Sequence, residues 1–388
     1  MQIAIVYNPE LENYDFGPGH SFRGDRFASF LKSYSETLAG DPHFELITHD
    51  ELASDEELKI GHTEDYINMM KAASQEFKDE SEESGWYSGV KISPMGWGPK
   101  QGPSRQSLSV YASPDNLNPY TGRIPQGIEK AARAAVKNSI LAIDYVEQGK
   151  STKAVGIGGG FHHAKASYGE GFCIYNDVVI AARYAMEKYR LERILLLDTD
   201  AHAGNGTCEA FYVDPRVLFI DLHQKGIYPG TGWVEEIGEG KGKGFTVNIP
   251  LESGTGDASY EQLFDEVIFP LAREYQPQMI IRYGGSDPHF GDTITGLGLT
   301  LAGFKMIGEK VRLLSTELCG ERSIDLICSG YNPDVLPKAW LSLIAGLSGV
   351  VIEMEESAPA RGHERLAETE DLINKVKAVL RPYWGSMR

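Results

Sequence analysis

The chain is poor in cysteine, in long apolar runs and in positive charge, and each shortage narrows what it can be. Its four cysteines are Cys173, Cys208, Cys319 and Cys328, in 388 residues. None forms a C-x-x-C pair, which argues against a cysteine-rich zinc module or a disulfide scaffold. They read as reduced, mostly buried thiols of an intracellular protein. The longest apolar stretch, near Leu341–Ile352, is too short to span a bilayer, so no membrane partner is expected. Lys and Arg number 37 against 55 Asp and Glu, a formal net charge of −18. That balance excludes direct nucleic-acid binding driven by phosphate neutralisation. An acidic field would instead draw in cationic substrates such as lysine-rich tails or polyamines, though the same charge also serves plain solubility. The segment Met1–Tyr7 reads as a strand rather than a charged-then-apolar signal peptide, and the expected compartment is the cytoplasm. An internal repeat and a Pro/Ser/Gly-rich linker are missing as well. One large domain over residues 1–388 is therefore expected, although the length alone would allow two.

What is present is an alternation of strand-like and helix-like stretches. Strands are expected at Gln2–Tyr7, Ala154–Gly158, Ile194–Asp198, Val217–Asp221, Phe245–Ile249, Met279–Tyr283 and Ile324–Cys328. Between them, Tyr260–Glu274 carries apolar residues at Tyr260, Leu263, Phe264, Val267 and Leu271, the period of an amphipathic helix. Such alternation implies an α/β fold, a mostly parallel central sheet with helices on both faces. Residues 81–109 fit neither period. They contain Gly85-Trp86-Tyr87 and Met95-Gly96-Trp97-Gly98-Pro99, and read as a long irregular insert.

Chemistry concentrates in the run from Leu195 to Gly206, where an apolar strand ends in Asp198-Thr199-Asp200-Ala201-His202 and then meets glycine. Asp200 and His202 are two residues apart, so in an extended segment they point to one side. A carboxylate and an imidazole arranged this way suit a catalytic Zn²⁺ that still needs one ligand and keeps a position open. Alone, the run would serve equally as a buried strand whose polar end caps a loop. Two further clusters tip the balance. Gly158-Gly159-Gly160-Phe161-His162-His163 follows one expected strand, and adjacent imidazoles suit proton transfer near neutrality. Gly284-Gly285-Ser286-Asp287 follows another. Three polar clusters at the carboxyl ends of strands mark the edge where open α/β sheets bind ligands.

With these motifs in order, the sequence resembles the arginase–deacetylase superfamily, and within it the zinc-dependent histone deacetylase and acetylpolyamine amidohydrolase branch. The match runs through Tyr14–His20, His62–Ile67, His162-His163, Gly171–Asp177, Asp198–Gly206, Tyr228–Gly232, Asp287 and Ser329–Asn332. The resemblance implies an arginase/deacetylase-like fold and Asp200, His202 and Asp287 as ligands of Zn²⁺, with Fe²⁺ as the other candidate metal. It implies His163 as general base and acid, His162 as an electrostatic partner oriented by Asp198, and Asn205 beside the base. Tyr331 falls where the family hydrogen-bonds the substrate carbonyl. Gly171, Phe172, Tyr228, Asp115 and Ile294 fall at substrate-contacting positions, and Arg26 at a channel position. A K⁺ site formed by Asp198, Asp200, His202, Asp221 and Leu222 is a further implication. In acetylpolyamine amidohydrolases an insertion near residues 81–109 builds a homodimer and narrows the mouth, so this segment is expected to do one or both.

The departures are informative. Asn205 stands where some relatives have aspartate, and an amide accepts a hydrogen bond without a charge. Ala203 replaces a frequent histidine, Ser329 a glycine. Asp221 takes the place of a serine, where it would either strengthen a cation site or sit solvated. Relatives selective for acetylspermidine carry a glutamate seven residues after the third ligand, and here Ile294 occupies that place. The expected activity is removal of acetyl or short acyl groups from protein N-acetyllysine, with small acetylated polyamines as the alternative substrate. Arginase-like ureohydrolysis is disfavoured by Gly204 and His289, which stand two residues after His202 and Asp287 where a second metal would need carboxylates. An inactive acyl-lysine binder is disfavoured because every candidate ligand and the tyrosine are present.

Overall fold

The computed structural model describes residues 2–75, 109–356 and 364–388. The insert assigned to residues 81–109, and the dimer contact expected of it, lie outside the described residues apart from Ser109.

Eight strands form one sheet: β1 (Ile3–Tyr7), β2 (Phe44–Thr48), β3 (Lys153–Ile157), β4 (Ile194–Asp198), β5 (Val217–Gln224), β6 (Thr246–Leu251), β7 (Met279–Tyr283) and β8 (Ser323–Ile327). Their order is β2-β1-β3-β8-β7-β4-β5-β6, and every pairing is parallel. Parallel sheets are covered on both faces, which is why their strands read as near-continuous apolar runs. In β4, Leu195 and Leu197 enter one buried cluster while Ile194 and Leu196 enter a second on the opposite face.

The helices that do the covering are α1 (Asp25–Thr37), α2 (Asp55–Lys59), α3 (Glu64–Ala73), α4 (Ile128–Glu147), α5 (Asp177–Tyr189), α6 (Asn205–Phe211), α7 (Asp257–Leu263), α8 (Phe269–Tyr275), α9 (Leu301–Leu318), α10 (Leu336–Ser348) and α11 (Leu366–Leu380). Helix α5 supplies Val178, Val179, Ala181 and Ala182 to the second cluster, whereas α9 and α10 pack on the first.

Two expectations need amendment. The helix expected over Tyr260–Glu274 is α7 and α8 joined by a π-helical turn at Phe264–Ile268. Pro270 has no N–H to give to the preceding turn, so the ladder widens there rather than continuing as an even α-helix. Strand β2 was not expected: it lies at the edge of the sheet, and of its five residues only Phe44 is buried. Among the described residues, no helix is long and apolar enough to cross a membrane. The four cysteines are all free.

The three polar clusters follow β3, β7 and β4, and the Ser329–Asn332 segment follows β8, which lies between β3 and β7 in the sheet. Register fixes these ends together: Asp198 lies opposite Tyr283 on β7 and opposite Asp221 on β5.

Candidate active site

The histidine pair is positioned by the turn that follows β3. Asp177, buried at the start of α5, accepts from the backbone N–H of Gly160 (3.0 Å) and Phe161 (2.8 Å) and from Ser139 Oγ (2.6 Å). Gly158 turns with φ +79, and a Cβ there would strike Leu11 at 2.6 Å, so neither backbone nor space admits a side chain. The two rings then emerge with different partners. His162 Nδ1 lies 2.7 Å from Asp198 Oδ2, and His163 Nδ1 lies 2.8 Å from Asn205 Oδ1. Their Nε2 atoms converge to 3.1 Å.

Their surroundings set opposite protonation. Burial pulls the His162 imidazole down, but the charges of Asp198 and Asp200 outweigh it and hold the group up at about 9. Burial also pulls His163 down, and the neighbouring His162 and His202 add to that, leaving it well below an ordinary histidine. At neutral pH an N–H from His162 and a lone pair on His163 therefore point at nearly one place.

Beyond them lie Asp200, His202 and Asp287, all buried, with ligand atoms within 4.8 Å of one another. His202 Nδ1 sits 3.1 Å from Asp200 Oδ1 and 3.0 Å from Asp287 Oδ2. Burial and the Asp200 charge push Asp287 up to about 7. Against the downward pull of burial, Asp200 and Asp287 raise His202 to about 10. The cluster thus calls for positive charge at its centre. Two carboxylates and one imidazole are a donor set that fits a divalent metal with an open coordination position. Arg282 on β7, fully buried, donates to Thr199 Oγ1 (2.7 Å) and Asp325 Oδ1 (3.2 Å) behind this acidic group.

A narrow cavity of about 20 Å³ joins the pieces, lined by His162, His163, Asp200, His202, Phe172 and Tyr331 among others. That is room for about one or two waters. Phe172 packs its ring 5.9 Å from Tyr331, and Tyr228, half-exposed, stands 5.1 Å from His163. Gly171 takes φ +60, and a Cβ would meet the His163 ring at 2.2 Å, so this backbone can approach the base only as glycine. Arg26 is buried behind Tyr331, its guanidinium donating to the Cys328 carbonyl (3.1 Å) and lying 5.4 Å from the Tyr331 ring.

Other candidates fall at the margin. The Asp115 carboxylate is engaged within the protein, accepting from Gly171 N–H (3.0 Å) and from Ser113 Oγ. Ile294 is exposed on the turn where Asp292 accepts from both Ile294 N–H (3.0 Å) and Tyr331 N–H (2.8 Å). Of the two readings of Asp221, the structure rules out the solvated one. This carboxylate is buried, and its oxygens take Gly204 N–H (2.9 Å) and His223 Nδ1 (2.9 Å), because the register of β5 carries it beneath the β4 loop. Leu222, next to it, is buried in the core.

Two contributors escaped the sequence reading. Ser329, which stands in place of a glycine, donates its Oγ to Asp287 Oδ1 (2.7 Å) and accepts from Gly285 N–H (2.7 Å). Glu170 Oε1 accepts from Asn205 Nδ2 (2.8 Å). The only sequence signal for Ser329 was its departure from glycine, and Glu170 gave none.

Comparison with known proteins agrees with this geometry. The family model of the histone deacetylase domain matches residues 20–347. The chain is 32% identical over 353 residues to the acetoin utilization protein AcuC of Bacillus subtilis (strain 168), covering 89% of this chain and 82% of that protein. It is 32% identical over 394 residues to a protein of Archaeoglobus fulgidus named "Probable deacetylase", covering 99% of both. The crystal structure of the HDA15 HD domain superposes with a TM-score of 0.78 at 22% identity, over 100% of this chain and 97% of that one, and so shares the fold. Matched along most of its length by both the family model and these relatives, the chain belongs to the histone deacetylase family.

Proposed function

We propose that the chain is a metal-dependent deacetylase that hydrolyses the amide of an N-acetyl or short N-acyl group, with protein N-acetyllysine as its substrate. The observation that carries the reading is the convergence of His162 and His163 Nε2 atoms, 3.1 Å apart, beside the Asp200, His202 and Asp287 cluster. A Zn²⁺ ion held by those three residues, or Fe²⁺ in its place, would lower the pKa of water and polarise the acyl oxygen. His163, neutral at its Nε2, takes the proton of the attacking water and later returns it to the leaving amine. His162, held protonated by Asp198, offsets negative charge as it develops. Tyr331 donates its hydroxyl to the acyl oxygen, a contact that strengthens as that oxygen becomes an oxyanion.

The test is kcat/KM on an acetyllysine peptide and on an acetylated polyamine, with chelator-stripped and zinc-restored protein side by side. Turnover lost on stripping, regained with zinc and higher on the peptide is the expected result. A preference for the polyamine would reassign the substrate and make the net charge of −18 a steering field. Turnover indifferent to chelation would overturn the metal. Asp287→Ala is expected to abolish zinc binding measured by equilibrium dialysis, and unchanged zinc content would remove it from the ligand set.

A further inference from the structure

We propose that Glu170 is a positioning residue that fixes the side-chain amide of Asn205 and, through it, the tautomer of His163. The inference rests on the reading of His163 as proton acceptor. An asparagine can present either its oxygen or its NH₂ to a neighbour, whereas a carboxylate accepts through both oxygens. Where relatives have aspartate at this position, orientation is not an issue. Here it is. If Asn205 turned its NH₂ toward His163, Nδ1 would have to accept, the ring proton would move to Nε2, and the base would lose its lone pair.

Packing does not prevent that rotation, because Asn205 borders a cavity of about 480 Å³ that also touches Lys165, Ala203, Cys208 and Glu209. Glu170 does prevent it. Its Oε1 lies 2.8 Å from Asn205 Nδ2 and can only accept, so the amide oxygen is turned to His163 Nδ1, 2.8 Å away. The carboxylate is itself placed. Glu170 immediately precedes Gly171, its carbonyl accepts from Cys173 N–H (3.0 Å), and Lys165 Nζ stands 3.6 Å from Oε1. The negative charge that aspartate would put next to the histidine is thus supplied one residue further out. The arrangement is the familiar one in which an outer hydrogen bond sets which ring nitrogen of a histidine is free.

The experiment compares Glu170→Gln, Asn205→Asp and the double variant in the full chain. Each is read by kcat and KM on the better acylated substrate and by ¹⁵N shifts of the His163 ring in histidine-labelled, chelator-stripped protein. Glu170→Gln can donate as well as accept, so it frees the amide. Its expected effect is a fall in kcat of about tenfold or more at unchanged KM, with the His163 shifts moving from the Nδ1–H form toward a mixture. Adding Asn205→Asp should bring kcat back to within about threefold of the parent, because the new carboxylate accepts by either oxygen while the new amide at 170 donates to it. The proposal is overturned if Glu170→Gln leaves the tautomer unchanged, or if its loss is not relieved by Asn205→Asp. Should the parent chain turn over no acylated amine, the functional reading falls, and the ring shifts alone decide the role of Glu170.

Discussion

His162 and His163 are neighbours in the chain, share one turn and are equally buried, yet the structure treats them in opposite ways. The wall behind His162 is a carboxylate, Asp198, and the ring is held up at about 9. The wall behind His163 is an amide, Asn205, and the ring is driven well down. Asp198 holds His162 as a cation, whereas burial and the charges of His162 and His202 keep His163 a neutral base that its uncharged partner does not offset. The pair Asp198 and Asn205 comes from the short segment that runs from the end of β4 to the first residue of α6, and the same segment supplies two of the candidate metal donors. Opposite environments on paired titratable groups are how acid and base roles are divided.

The sharpest break is removal of one ring at a time. His163→Ala is expected to lower kcat by roughly 10²–10⁴ while metal content stays unchanged. His162→Ala should cost less, since an electrostatic partner is lost and the proton acceptor remains. Equal losses would mean that the two rings share one role, and the contrast in their partners would be structural only.

The next effect is at the opposite wall of the cavity. Tyr331→Phe removes one donor to the acyl oxygen, and the expected fall in kcat is roughly 10²–10³ with little change in KM. The Tyr331 loop would stay in place, because it is anchored by Asp292 accepting from its backbone N–H (2.8 Å). An effect confined to KM would take the hydroxyl out of the transition state.

Much of this contrast was legible in the sequence, and the reason is local. Asp200 and His202 share a face because strand side chains alternate, and the apolar runs Ile194–Asp198 and Met279–Tyr283 marked their strands to the residue. What was not legible depends on contacts between distant segments. Asn205 meets Glu170 across 35 residues and Asp287 meets Ser329 across 42. No period or motif predicts either. Which of its two readings Asp221 takes was not legible for the same kind of reason, since its burial comes from the register of β5 on β4. Strand β2 was invisible because an edge position frees most of its side chains from the alternation that gives strands away.

The smallest expected effect tests the carboxylate side directly. Asp198 Oδ2 lies 2.7 Å from His162 Nδ1, while Oδ1 accepts from Asp200 N–H at 3.0 Å. In Asp198→Asn the amide oxygen can keep the bond to Asp200, which holds the metal-donor loop and leaves the NH₂ facing His162. The ring must then accept at Nδ1, so it can no longer carry a proton on both nitrogens, and the standing positive charge is lost. With geometry kept and only the charge removed, kcat should fall by about 10- to 100-fold, the range for a partner one shell removed from the chemistry. Zinc content measured on the same preparation should not change. If Asp198→Asn equalled His163→Ala in its effect, His162 rather than His163 would be the proton carrier. If it did nothing, the charge on His162 would have no part in the reaction, and the difference between the two histidines would reduce to the position of one lone pair.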